Sequence, residues 1–219
     1  KGLIMKKIIT ILLSFLFISF QSAKAEMGVG ITGALHMLDA SGTETTKHSS
    51  EKNNGSHEED AAVLELFAEA ILDSGSTLGI AFIPTRDMGS KSRSDTNSEG
   101  DTGTYKAAAE LDNVVQVYTD VLLPTEIYGQ SLYVKLGIQH ATIATLESLN
   151  SGSSYPDEDV FGYTVGLGTK GDLPYGNNLY YKADLTYTDF EDYEATASGN
   201  KVVAELEDVA VKLSLGYKF

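Results

Sequence analysis

Seven charged residues, Glu65, Glu69, Asp120, Lys135, Lys182, Asp184 and Lys212, stand at alternate positions in segments whose intervening positions are apolar. Carboxylates and amines gathered on one surface can exchange protons with a substrate, or they can neutralise one another as ion pairs if the surface is enclosed. Gly28, Gly30, Gly137, Gly162, Gly166, Gly168 and Gly216 share that surface. A solvated face has no use for so much glycine. A crowded interior does, because long charged chains fit only where small residues adjoin them. The pattern predicts an enclosed ion-pair network.

The remaining chemical patterns are weaker. Gly28-Val-Gly30-Ile-Thr-Gly33 spells a dinucleotide-binding fingerprint, but no strand precedes it and no helix follows, so the phosphate-cradling geometry is missing. His140-Ala-Thr142 with Glu147 supplies a base, a hydroxyl and an acid, yet the acid falls in a connection and the spacing positions no nucleophile. His48 and His57 lie among Glu51, Glu58, Glu59 and Asp60, a solvated cluster with at most weak divalent-cation affinity. No enzyme activity, no cofactor and no resident metal is expected. The acidic runs 58–60 and 157–159 would face anionic lipid at an outer rim, where divalent ions could bridge the repulsion.

Composition removes whole classes. The 219 residues contain no cysteine, which excludes disulfides, thiolate metal sites and cysteine nucleophiles. A net charge of −15 with only two arginines, Arg86 and Arg93, argues against nucleic acid. The mean hydropathy of −0.10 excludes a helical membrane protein but not a barrel with one polar face.

Lys6 and Lys7, an apolar run from Ile8 to Phe20 and Ala23-Lys24-Ala25 follow the order of a secretory signal, so residues 1–25 are expected to be removed, with 1–4 upstream of the natural start at Met5. Their loss takes away Lys1, Lys6, Lys7 and Lys24 and no acid, leaving residues 26–219 more acidic still.

Those residues divide into eight segments of period two, at about 27–39, 61–73, 77–85, 113–123, 131–141, 160–169, 178–188 and 208–219. The second also contains helix formers and is the least regular. Connections alternate between long (40–60, 86–112, 142–159, 189–207) and short (74–76, 124–130, 170–177), and the first two long ones read as mobile polar loops. An even number of strands with all long loops at one end is an up-and-down antiparallel barrel. The fold class expected is therefore all-β: an eight-stranded antiparallel up-and-down transmembrane β-barrel with long extracellular loops, short periplasmic turns and strand eight paired to strand one. Tyr118, Tyr133, Tyr163, Tyr180, Tyr181, Tyr187 and Tyr217 are expected in the two interfacial aromatic girdles.

The chain ends Lys212-Leu-Ser-Leu-Gly-Tyr-Lys-Phe219. This resembles the terminal strand of bacterial outer-membrane barrels, and Leu179–Tyr193 and Leu78–Pro84 are similar to segments of the small OmpA/OmpX/opacity-like group. The resemblance implies a Gram-negative outer-membrane location, contact with lipid and lipopolysaccharide, escort by periplasmic chaperones, and assembly-machinery recognition through Leu213, Leu215, Gly216, Tyr217 and Phe219. The resemblance departs from the OmpA type in that no peptidoglycan-binding domain is expected in these residues, so a cell-wall tether is not implied. The expected role is structural or interactive in a monomer: envelope integrity, adhesion or recognition through the loops. The alternatives are an OmpW-like narrow conduit for small or hydrophobic solutes and a soluble periplasmic ligand-binding barrel.

Overall fold

The computed structural model describes residues 25–45, 50, 52–96, 102–127, 129–146, 155–174, 178–197 and 199–219. Residues 1–24 of the expected export signal lie outside them, and its last residue, Ala25, is the first of the ladder. Ten antiparallel strands follow in order: β1 (Ala25–Thr45), β2 (Lys52–Leu72), β3 (Thr77–Ile83), β4 (Arg86–Thr96), β5 (Thr102–Ile127), β6 (Gln130–Thr145), β7 (Glu158–Asp172), β8 (Leu179–Phe190), β9 (Tyr193–Ala197) and β10 (Asn200–Lys218). The ladder runs β1-β2-β3-β5-β6-β7-β8-β10 and returns to β1, a ring of 8 strands. β4 continues β3 beyond Pro84 and pairs with β5; β9 continues β8 and pairs with β10.

Closure satisfies the backbone groups that hydrocarbon cannot. Gly28 pairs with Lys218 and Thr45 with Lys201 at the two ends of the β1–β10 ladder, and Met27 and Phe219 exchange backbone hydrogen bonds of 3.3 and 2.9 Å. Both chain ends of the barrel therefore lie at one rim, with the Asp73–Ser76 turn.

Alternation then sorts the side chains, because successive Cβ atoms point to opposite faces. Val29, Ile31, Leu35, Leu64, Leu66, Ile80, Phe82, Val117, Phe161, Leu167, Leu185, Leu213 and Leu215 point outward and are exposed. The charged and glycine positions point inward. An apolar belt outside and polar groups inside invert the arrangement of a soluble barrel and match what a bilayer demands.

The strands are longer than the periodicity suggests. Residues 40–45, 52–60, 86–96 and 102–112, expected as loops, continue the ladders as hairpins. At 21 residues, β1 spans about 70 Å, roughly twice what a tilted membrane strand requires. Thr, Ser, Asn and Glu on such a strand carry no hydrophobic alternation, yet the backbone pairing persists where the adjoining strands are already aligned.

One interruption is local. Pro84 can donate no ladder hydrogen bond, and beyond Leu66↔Phe82 the β2–β3 pairing is not taken up by β4, which bonds β5 alone. In β5 the register shifts between Asp112 and Val115, where Asn113 takes φ +52°.

Candidate functional site

The lumen is built in two storeys. The lower, nearer the short turns, is polar. Lys182 lies 2.8 Å from Glu69 and 2.5 Å from Asp120; Lys135 is 2.9 Å from Asp120 and 3.6 Å from Asp184; Lys212 bonds Glu65 at 2.8 Å. All seven charged residues named from the sequence are thus buried in one lumen, in two clusters.

Charge alone would leave carboxylate lone pairs unfilled, and tyrosines fill them. Tyr118 and Tyr180 donate to Glu69 at 2.6 and 2.8 Å, and Tyr133 donates to Asp184 at 2.6 Å. These three rings are buried, not at the interfaces where the aromatic-girdle expectation put them. Their positions have the parity of the lumen face, which overrides the general affinity of tyrosine for the membrane boundary. The rings also account for the glycines. A Cβ on Gly216 would stand 2.3 Å from Tyr180 Cζ, on Gly168 2.3 Å from Tyr133 Cζ, and on Gly79 2.4 Å from Tyr118 Cζ. Each glycine is the floor under an aromatic ring, so Gly216 belongs to the lumen, whereas Leu213, Leu215, Tyr217 and Phe219 form the outer face of β10.

A second cluster sits above. His36 Nε2 lies 2.9 Å from Glu65 Oε1, and its Nδ1 lies 2.8 Å from Asp208 Oδ2. Arg86 Nη1 donates to Asp208 Oδ2 at 2.7 Å and stands 2.7 Å from His36 Nδ1. Arg86 is the first residue after the Pro84–Thr85 break and is fully buried, so its guanidinium ties the displaced β4 across the lumen to β10. Gln116 and Gln139 both donate to Thr164 Oγ1 at 3.1 Å, and Thr32 and Ser214 pair at 2.8 Å. Between these layers a cavity of about 20 Å³ remains, room for one water.

The upper storey is apolar. Leu38, Ile83, Leu111, Ile143, Phe190, Tyr193 and Leu206 pack into one buried cluster above His36 and Arg86. The ion-pair network expected to fill the lumen occupies its lower storey alone, and the inward positions turn apolar once the strands pass the belt. Asp208, His36, Leu38, Ile83, Ile143, Phe190 and Leu206 could have been read by continuing each strand's parity, whereas Leu111, beyond the register shift in β5, and Tyr193, beyond the β8–β9 break, could not. Arg86 could not, because Pro84 breaks the alternation.

Among the described residues, the His140 base and the Thr142 hydroxyl of the pattern noted for catalysis are not paired. Thr142 donates to Asp159 at 2.8 Å, while His140 stands 3.9 Å from that carboxylate, so the hydroxyl is bonded to the acid and not to the imidazole. Glu147, His48 and Glu51 lie outside the described residues. Among the described residues no group of three or more His, Asp or Glu side chains is placed to hold a metal. Asp112, at the rim above the belt, is held below the ordinary carboxylate range by hydrogen bonds from the Thr85 hydroxyl and the Asn113 backbone N–H.

A closed eight-stranded ring with an apolar exterior and a side-chain-filled interior is the fold of small outer-membrane β-barrels. Comparison with solved structures shows the same fold. OprG of Pseudomonas aeruginosa is 17% identical with a TM-score of 0.56, covering 91% of this chain and 98% of that one. The outer-membrane protease OmpT of Escherichia coli is 12% identical with a TM-score of 0.50, covering 92% of this chain and 100% of that one. No protein-family model matches the chain. No curated relative matches it either.

Proposed function

We propose that the chain is exported by residues 1–25 and that residues 26–219 form a non-enzymatic outer-membrane barrel. Its wall contributes to the envelope and its hairpins present a surface for adhesion or recognition. The observation that carries this reading is the filled lumen: ion pairs and tyrosines close its lower storey and an apolar cluster its upper one. Lipid and lipopolysaccharide surround the belt, chaperones escort the chain, and the outer face of β10, with Leu213, Leu215, Tyr217 and Phe219, offers the assembly machinery its strand. The short turns face the periplasm and the long hairpins face outward.

Planar-bilayer recording on refolded protein tests the closed lumen. The expected trace has no discrete steps. Well-defined openings of the unmodified protein would overturn the reading.

A second reading, a narrow conduit for small apolar solutes, is supported by the missing ladder between β2 and β4, which lies beside the apolar storey. It predicts uptake of an apolar solute by proteoliposomes without ionic conductance; equal uptake by protein-free vesicles removes it.

A further inference from the structure

The lower rim holds a cavity of about 430 Å³, distinct from the ion-pair layer that forms its roof, and within the size range of small-molecule sites. Ile71, Ser131, Lys170, Asp172, Tyr180 and Lys218 line it, with Glu69 at the top. The direct pairing around it is uneven. Glu69 is taken up by Tyr118, Tyr180 and Lys182. Asp172 is taken up by Lys218 at 2.7 Å. Lys170 has instead a backbone carbonyl, that of Gly75, and the face of the Tyr133 ring 5.8 Å away; among the described residues no carboxylate lies within ion-pair distance of it.

An ammonium carries three donors. The Gly75 carbonyl accepts from one, which leaves the others beside a cavity with Ile71 and Tyr180 in its wall. Ammonium donors left without an acceptor beside a cavity favour an acceptor within it. We propose that this vestibule binds a small anion, a molecule bearing a carboxylate or phosphate group, through the Lys170 ammonium. Tyr180 and Ile71 receive any apolar body, and Lys218 stays with Asp172. That the anion arrives from the periplasm rests on the orientation proposed above; the binding itself does not.

The test uses the refolded full barrel in micelles, with backbone amides followed by NMR at constant ionic strength set by sodium chloride. Inorganic phosphate and benzoate are titrated separately. Saturable shifts confined to the residues around Lys170, Gly75 and Ser131 are expected with at least one probe, and the stronger probe distinguishes a mineral from an organic anion. Lys170→Gln is expected to weaken binding about tenfold or more, the loss of one charge-assisted contact, and Lys218→Gln by under about threefold. Should Lys170→Gln not fold, Lys170→Arg is expected to retain binding and Ser131→Phe to lose it by filling the cavity. Shifts that fail to saturate, or binding indifferent to Lys170→Gln or Ser131→Phe, overturn the proposal. Orientation is read independently from Ser74→Cys, the chain's sole thiol, with an impermeant thiol reagent. Labelling of intact cells would overturn the periplasmic source and leave the binding result standing.

Discussion

At the residue level the lumen is governed by the cost of burying charge. Arg86 shows it most directly, since its guanidinium is the cation beside Asp208 and His36. Arg86→Met would leave Asp208 buried without that partner and is expected to cost about 3–5 kcal/mol, read from urea unfolding in micelles. Lys201→Met, at an exposed pair with Glu194, should change stability by no more than about 1 kcal/mol under the same conditions. Asp112 offers a pH-dependent counterpart at the surface. Its folded pKa is depressed, so the contribution of its hydrogen bonds is present above the unfolded pKa and is lost as pH falls through the folded one. Thr85→Val should move the Asp112 carboxyl titration upward toward its ordinary value, seen in its side-chain carbonyl carbon shift. Of these residues the seven lumen charges were legible in the sequence, because apolar neighbours at alternate positions assign them a face. Arg86 was not, since its partners lie 50 and 122 residues away along the chain and a proline interrupts the count.

Strands and hairpins show a different balance, between pairing and repulsion. Glu58, Asp39, Glu207 and Asp189 are directly opposite one another across β2, β1, β10 and β8. Like charges opposed across a ladder are unfavourable, so Asp39→Asn should stabilise the barrel by roughly 0.2–1 kcal/mol in low salt, less in high salt. Unfolding midpoints at two salt concentrations check both the sign and the screening. Glycines give a second comparison. A Cβ on Gly30 would meet the Leu215 carbonyl at 2.3 Å, whereas on Gly33 its nearest neighbour is 4.0 Å away. Gly30→Ala is therefore expected to cost about 1–3 kcal/mol and Gly33→Ala much less. The belt portions of these strands, and the pairing of the last to the first, could be read from alternation and from connection lengths. The extensions could not, because polar residues on a solvated strand have no periodicity to detect.

For the whole molecule, the apolar storey means that the barrel does not end where the belt ends. Leu38 and Leu206 lie in a core of the soluble kind, enclosed by the same strands that line the ion pairs below. Amides around Leu38 and Leu206 should exchange with solvent as slowly as those at Ile31 and Leu215 within the belt, because opening either requires opening one continuous wall. Hydrogen exchange followed by mass spectrometry would show it, and fast exchange above the belt would mark the upper storey as a separate unit. In electrical terms the two storeys are unlike. A potential applied across the membrane falls over the belt, the height at which the lysines and carboxylates lie, and not over Phe190, Leu38 and Ile83 above it. The work a field can do scales with the charge it moves, and ammonium and carboxylate groups held against one another move little, so the barrel should be indifferent to voltage.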